Sequence, residues 1–140
     1  EIRLSVEGWK LIEMNPRISG GAMNKMIQAA FGYSLVEETL KMLLGEDPTL
    51  EKSKNYYVYT QYIILERKGI LEKVTGKRRA MSTPGVVEVY VKPKSGTYVT
   101  PPLSMGHRYA YVIARGETLE EAQTIAKQAA NQITFHLRIE

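Results

Sequence analysis

Three runs rich in Tyr, Val and Ile, at Asn55–Leu65, Val86–Val91 and Tyr109–Ala114, restrict the architectures open to this chain. β-Branched and aromatic side chains suit a pleated, half-buried surface, and Val86–Val91 alternates with the period of two that such a surface requires. Helical signals stand beside these strands. Thr118 followed by Glu121 forms a capping box that opens a helix through about Ile133, after which Thr134–Ile139 again reads as a strand. Sheet and helix signals together predict an α+β fold, an antiparallel sheet with flanking helices. The absence of an internal repeat argues against a solenoid.

The first third is organised differently. Glu1–Ser5 alternates polar and apolar residues, and Trp9–Met14 follows after Val6, Glu7 and Gly8, which predicts a β-hairpin. Asn15–Gly21 breaks the pattern with Pro16, Gly20 and Gly21 and reads as a loop. Met23, Met26, Ile27, Ala30 and Phe31 fall at helical spacing over Ala22–Phe31, with Gly32 as terminator. Ser34 and Glu37 make a capping box for a second helix, whose Leu35, Leu40, Leu43 and Leu44 form an apolar side before Gly45. The polar stretch Glu46–Lys54, with Pro48, is the candidate linker, so the expected units are residues 1–47 and 48–140.

Composition excludes several kinds of chemistry. With no cysteine there are no disulfides, thiolate nucleophiles or zinc–thiolate sites, which is compatible with a reducing compartment and makes the cytoplasm the expected location. No apolar run approaches the roughly 20 residues needed to cross a bilayer, so no membrane association is expected. The net charge of +4 is modest, and the basic residues are scattered except at Lys77, Arg78 and Arg79, which read as a charged turn between strands; nucleic-acid binding has little support. The chain begins at Glu1 rather than Met, and we expect it to be a piece of a longer protein.

The residues that carry chemistry lie near the start. Glu13 and Asn15 are two apart at a strand end and project to one face, where a single cation would meet both. Glu1, on the paired strand, shares that face if the hairpin register allows. Two carboxylates and an amide oxygen are a hard-oxygen set suited to magnesium or manganese, especially where phosphate supplies further ligands. Arg17 offers a cationic fork for a phosphate or carboxylate oxygen, and Ser19, Gly20 and Gly21 offer backbone N–H donors ahead of a helix. Spacing alone favours ordinary solvated turn residues over a metal site.

The run EMNPRISGG, Glu13–Gly21, resembles the terminal metal-binding motif of the ATP-grasp superfamily, in which a strand ends in Glu-x-Asn-x-Arg. Glu1, before the turn at Glu7 and Gly8, stands where an earlier strand carboxylate lies in biotin carboxylases and L-amino acid ligases. The segment through GYSLVEETLKMLLG is similar to the helix pair that follows the motif. RYAYVIARGETLEEAQTIAKQA, Arg108–Ala129, is similar to the closing strand and helix of carboxy-terminal domains in these ligases. The likeness is nearest to the L-amino acid ligase and glycinamide ribonucleotide synthetase side of the superfamily.

The resemblance implies a part of an ATP- and Mg²⁺- or Mn²⁺-dependent ligase that joins a small carboxylate substrate to an amine through an acylphosphate. It implies Glu1, Glu13 and Asn15 as metal ligands and Arg17 as the residue steadying the transferred phosphoryl group. Glu13, Asn15, Ser19, Gly20 and Gly21 would form the edge of the nucleotide site. Most of the ATP pocket belongs to segments ahead of these in that superfamily, so the chain alone is expected to be inactive. The competing expectation is a small, non-catalytic α+β binding module in which Glu13–Gly21 is a surface loop. His107 and His136 read as structural, and the methionines and tyrosines as core and sheet residues. An unpaired hairpin edge also leaves a homodimer open.

Overall fold

The computed structural model describes residues 1–139. It opens with the hairpin β1 (Ile2–Ser5) and β2 (Gly8–Leu11), followed by helices α1 (Met23–Phe31) and α2 (Leu35–Leu43). Next come β3 (Tyr57–Ile63), β4 (Gly69–Thr75), α3 (Lys77–Met81), β5 (Val86–Val91) and β6 (Tyr98–Val99). A 3-10 turn at Met105–His107, β7 (Ala110–Gly116), α4 (Leu119–Ala130) and β8 (Thr134–Arg138) complete it. Besides the hairpin there are two three-stranded sheets, ordered β3-β7-β5 and β6-β4-β8, and every pairing is antiparallel.

β7 is the central strand of the first sheet, and its Ala110, Val112, Ile113 and Ala114 are completely buried. Helix α4 packs on β7 and β3 through Ala122, Ala126 and Ala129, small residues that let helix and sheet approach closely. Val112, Ala80, Ala129, Ala130 and Ile133 form one core cluster, extended by Val74 and Phe135 from the second sheet. Helix α1 also packs against β3 and β7, and its Ala29 shares a cleft with Glu88 and Arg115, the side of the sheet that alternates with Val112. The sheet is thus held between α4 and α1.

Both expected N-caps form at the helix starts: the Ser34 hydroxyl accepts from the Glu37 amide, and the Thr118 hydroxyl from the Glu121 amide, while the Glu121 carboxylate accepts from the Glu117 amide. α1 ends where Gly32 takes up φ 92°, a left-handed conformation that its missing side chain permits. The expected linker contains no helix or strand, but Ser53 and Lys54 donate to the Phe31 carbonyl and Tyr56 to that of Ala30, tying it to the end of α1.

Three expectations change. Lys77–Arg79 is not a turn but opens helix α3, anchored by the adjacent Ala80, which is fully buried in the apolar core. The last helix stops at Ala130 rather than near Ile133, because Asn131 caps it and Ile133 turns back into the core. The apolar side of α2 is present but uncovered: Leu40, Leu43 and Leu44 are exposed, while the buried residue is Glu38. Glu38 is tolerated there because Lys41 Nζ lies 2.8 Å away and the Thr49 amide donates to it at 2.6 Å. Those two bonds, the Lys41 one foremost, hold its carboxyl below the usual range.

Candidate functional site: the hairpin end and the glycine loop

The hairpin register places the main chains of the candidate residues. Ile2 pairs with Leu11, Arg3 with Lys10, Leu4 with Trp9 and Ser5 with Gly8. Continued one step, this alternation sets Glu1 opposite Ile12 and sends Glu13 to the other face. The hydrogen bonds depart from that simple alternation. Both the Ile12 and Glu13 amides donate to the Glu1 carbonyl, at 2.9 and 3.3 Å, and the Glu1 amino group donates to the Glu13 carbonyl. Two residues opposing one is a β-bulge, which resets the alternation and re-aims a side chain. It brings the main chains of Glu1 and Glu13 together.

Beyond the bulge, the Arg17 amide donates to the Asn15 carbonyl at 2.8 Å across Pro16, a three-residue turn that suits the fixed φ of proline. Asn15, ahead of the proline, is biased to extended backbone and so continues the strand direction from Glu13. Arg17 Nη1 donates to the Ile18 carbonyl at 3.3 Å. The loop is fastened to α1 by Asn24, whose side-chain amide donates to the Ser19 carbonyl at 2.7 Å. Asn24 was not among the sequence candidates; its signal is an amide residue just after a glycine pair, inside the first turn of a helix. Gly21 sits at φ 64°, and a side chain added at Gly20 or Gly21 would meet nothing within 4 Å, so both glycines border open space.

Glu1, Glu13, Asn15, Arg17, Ser19, Gly20 and Gly21 are all exposed. Among the described residues no side-chain hydrogen bond or ion pair joins any two of them, and no group of three or more His, Cys, Asp or Glu is placed to hold a metal ion. The candidate set is of a different make-up, two carboxylates and an amide. The face of the hairpin carrying Ile2, Leu4, Trp9 and Leu11 is apolar and open, each residue at least 61% exposed. An isolated two-stranded sheet with a bare apolar face is marginal in water.

Elsewhere, Tyr62, Tyr111 and Tyr90 form one cross-strand row over β3, β7 and β5, with Arg108 stacked 4.5 Å from the Tyr62 ring. Burial, then the nearby Glu88 carboxylate, to which the Tyr111 hydroxyl donates at 3.3 Å, push the Tyr111 hydroxyl up to about 12. His107 lies within 3.3 Å of the Ser104 hydroxyl and His136 within 2.9 Å of the Thr75 hydroxyl; neither has an acidic partner among the described residues. No described helix is long and apolar enough to cross a membrane.

This arrangement of helices and antiparallel sheets is found in solved structures. Phosphoribosylglycinamide synthetase from Anaerococcus prevotii matches with a TM-score of 0.86 at 17% identity, over 98% of this chain and 36% of that one. L-amino acid ligase from Bacillus licheniformis matches at 0.75 and 14%, over 99% and 35%. N5-carboxyaminoimidazole ribonucleotide synthetase from Thermotoga maritima matches at 0.66 and 14%, over 98% and 36%. The fold is therefore that of the carboxy-terminal portion of ATP-grasp ligases. Residues 61–138, more than half of the chain, match the L-amino acid ligase C-terminal domain 2, and the chain belongs to that family. It is also 30% identical over 137 residues to uncharacterized protein y4rH of Sinorhizobium fredii (strain NBRC 101917 / NGR234), covering 98% of this chain. The chain spans 29% of the length of that relative.

Proposed function

We propose that this chain is the carboxy-terminal part of an ATP- and Mg²⁺-dependent carboxylate–amine ligase that works through an acylphosphate. The observation that carries this reading is the Glu13-x-Asn15-x-Arg17 run at the end of a bulged hairpin, in a chain of the L-amino acid ligase family. The exposed oxygen set of Glu1, Glu13 and Asn15 fits a hard divalent cation, and the open glycine loop leaves room for phosphate beside it. A cation held there would neutralise the terminal phosphates of ATP during phosphoryl transfer.

The chain's own residues have separable tasks. Glu13 is the central ligand and Glu1 and Asn15 flank it, the bulge keeping Glu1 and Glu13 in phase. Arg17 steadies the moving phosphoryl group with a charge that never titrates. Ser19, Gly20 and Gly21 supply backbone donors, and Asn24 anchors that loop. Residues 1–47 form the end of the nucleotide-binding domain and residues 48–140 a carboxy-terminal α+β domain. The bare apolar faces of the hairpin and of α2 support a larger protein that covers them, and the opposing wall of the ATP pocket comes from there. Alone, the chain is inactive.

In the intact ligase, Glu13→Gln should abolish ATP-dependent ligation while leaving the unfolding midpoint within a few degrees of the parent, measured by phosphate release and thermal melting. Full turnover by that variant would remove the metal assignment. Phosphate release by the isolated chain at the rate of the intact ligase would refute the division of the site.

A further inference from the structure

The segment between β4 and β5 plays no part in the site above, yet it concentrates the chain's charge. Thr75, Lys77, Arg78, Arg79, Gln132 and Thr134 line a cleft of about 610 Å³ where α3 meets the α4–β8 connection. None of the cleft's lining residues is acidic, and among the described residues Lys77, Arg78 and Arg79 make no ion pair. Lys77, Arg78 and Arg79 all border this concavity, and no acidic residue lines it.

All three cations are exposed, and of them Arg79 is anchored. Arg79 Nε donates to Gln132 Oε1 at 3.0 Å, Gln132 Nε2 donates to the Thr83 hydroxyl at 3.1 Å, and that hydroxyl donates to the Arg79 carbonyl at 3.4 Å. The ring of bonds fixes the guanidinium through its inner nitrogen and leaves both terminal nitrogens unbonded among the described residues. The anchoring side chain is a neutral amide. A carboxylate at position 132 would hold Arg79 equally well but cancel its charge; glutamine holds the geometry and leaves the charge available. An arginine in a merely solvated turn gains nothing from such anchoring, because ordering a long side chain costs entropy. Thr75, hydrogen-bonded to His136, and Thr134 add hydroxyls at the β4–β8 end.

We propose that this cleft binds a small molecule carrying a pyrophosphate or longer phosphate chain, at a place separate from the Glu13–Gly21 segment. A diphosphate carries enough charge and oxygens to engage the terminal nitrogens of Arg79 together with a neighbouring cation. Because the ligand's charge is met by side chains, binding needs no divalent cation, which sets the cleft apart from the carboxylate set at the hairpin.

Inorganic pyrophosphate titrated into the chain without divalent cations, followed by calorimetry and amide NMR, tests this. One site is expected, with shifts at Thr75, Arg78, Gln132 and Thr134. Arg79→Gln should weaken binding at least about tenfold. Arg79→Lys should weaken it by a similar factor, since lysine keeps the charge but cannot be held by Gln132 while presenting a fork. Gln132→Glu, nearly the same shape, should weaken binding more than Gln132→Leu, an order a purely structural role would not produce. Absence of binding at about 1 mM pyrophosphate, an unaffected Arg79→Gln, or shifts confined to Glu13–Gly21 would overturn the proposal. So would a short RNA binding more tightly than pyrophosphate through the same three cations, which would make the cleft a polyanion surface.

Discussion

Gly76 offers a test in which conformational strain and crowding separate. It stands between β4 and α3 with φ 84°, and a side chain there would place its Cβ 1.8 Å from the Gln132 carbonyl oxygen and 2.7 Å from its carbon. Ordinary carbon contacts are roughly 3.5–4.0 Å, so the main chains would have to move apart by more than an ångström. A left-handed alanine costs about 1–2 kcal/mol and overpacking against backbone a further 1–3, so Gly76→Ala should destabilise by roughly 2–5 kcal/mol. Gly96 is the control: its φ is 88°, but nothing lies within 4 Å of the added carbon. Gly96→Ala should lose only the conformational part, about 1–2 kcal/mol. Urea unfolding of both variants with an unchanged slope would measure the difference, and the melting point of Gly76→Ala should fall by roughly 8–20 °C. Equal losses in the two variants would show that α3 and the α4–β8 connection are not in contact at this point, and would undo the reasoning.

Other consequences are accessible to the same assays. Glu38 has its folded pKa lowered by Lys41 and the Thr49 amide, so the stability it contributes is present above its unfolded value near 4.5 and is lost as pH falls through the folded value. Glu38→Gln should flatten this part of the acid limb, and an unchanged limb would argue against the Lys41 contact. Tyr111 runs the other way: its hydroxyl is raised from 10.0 to about 12, so its contribution is full below pH 10 and disappears as pH rises toward 12. Tyr111→Phe should remove the last phenol from an ultraviolet alkaline titration and flatten that limb. Ala126 is completely buried against the sheet, so Ala126→Leu should cost about 1–3 kcal/mol in urea unfolding by forcing α4 off β7; a loss below a few tenths would mean the helix has slack there.

Much of the fold was legible because it rests on neighbours in sequence. The Ser34 and Thr118 caps are short-range hydrogen bonds to the Glu37 and Glu121 amides, and the Val86–Val91 alternation is a property of consecutive residues; all three stand where spacing placed them. β4 was missed because a bulge between Leu71 and Lys73 interrupts its period of two, with exposed Glu72 and Lys73 side by side. α3 was missed because three adjacent cations carry no amphipathic pattern, and only Ala80 touches the core.

For the candidate site, the amino-acid order supplied which residues bring oxygen, charge and open backbone: Glu1, Glu13, Asn15 and Arg17 with the glycine pair. It could not say whether Glu1 and Glu13 are in phase, since side-chain phase across a hairpin depends on pairing register, which a single extra residue inverts. The shared Glu1 carbonyl brings the two main chains together, a pairing no spacing rule contains. Likewise, the leucines of α2 are an apolar side in any helical projection, but whether they are buried depends on what packs over them, a long-range fact absent from the spacing. Tertiary packing chose instead to enclose Glu38, because Lys41 and the Thr49 amide together satisfy a charge that no hydrophobic pattern predicts would be inside.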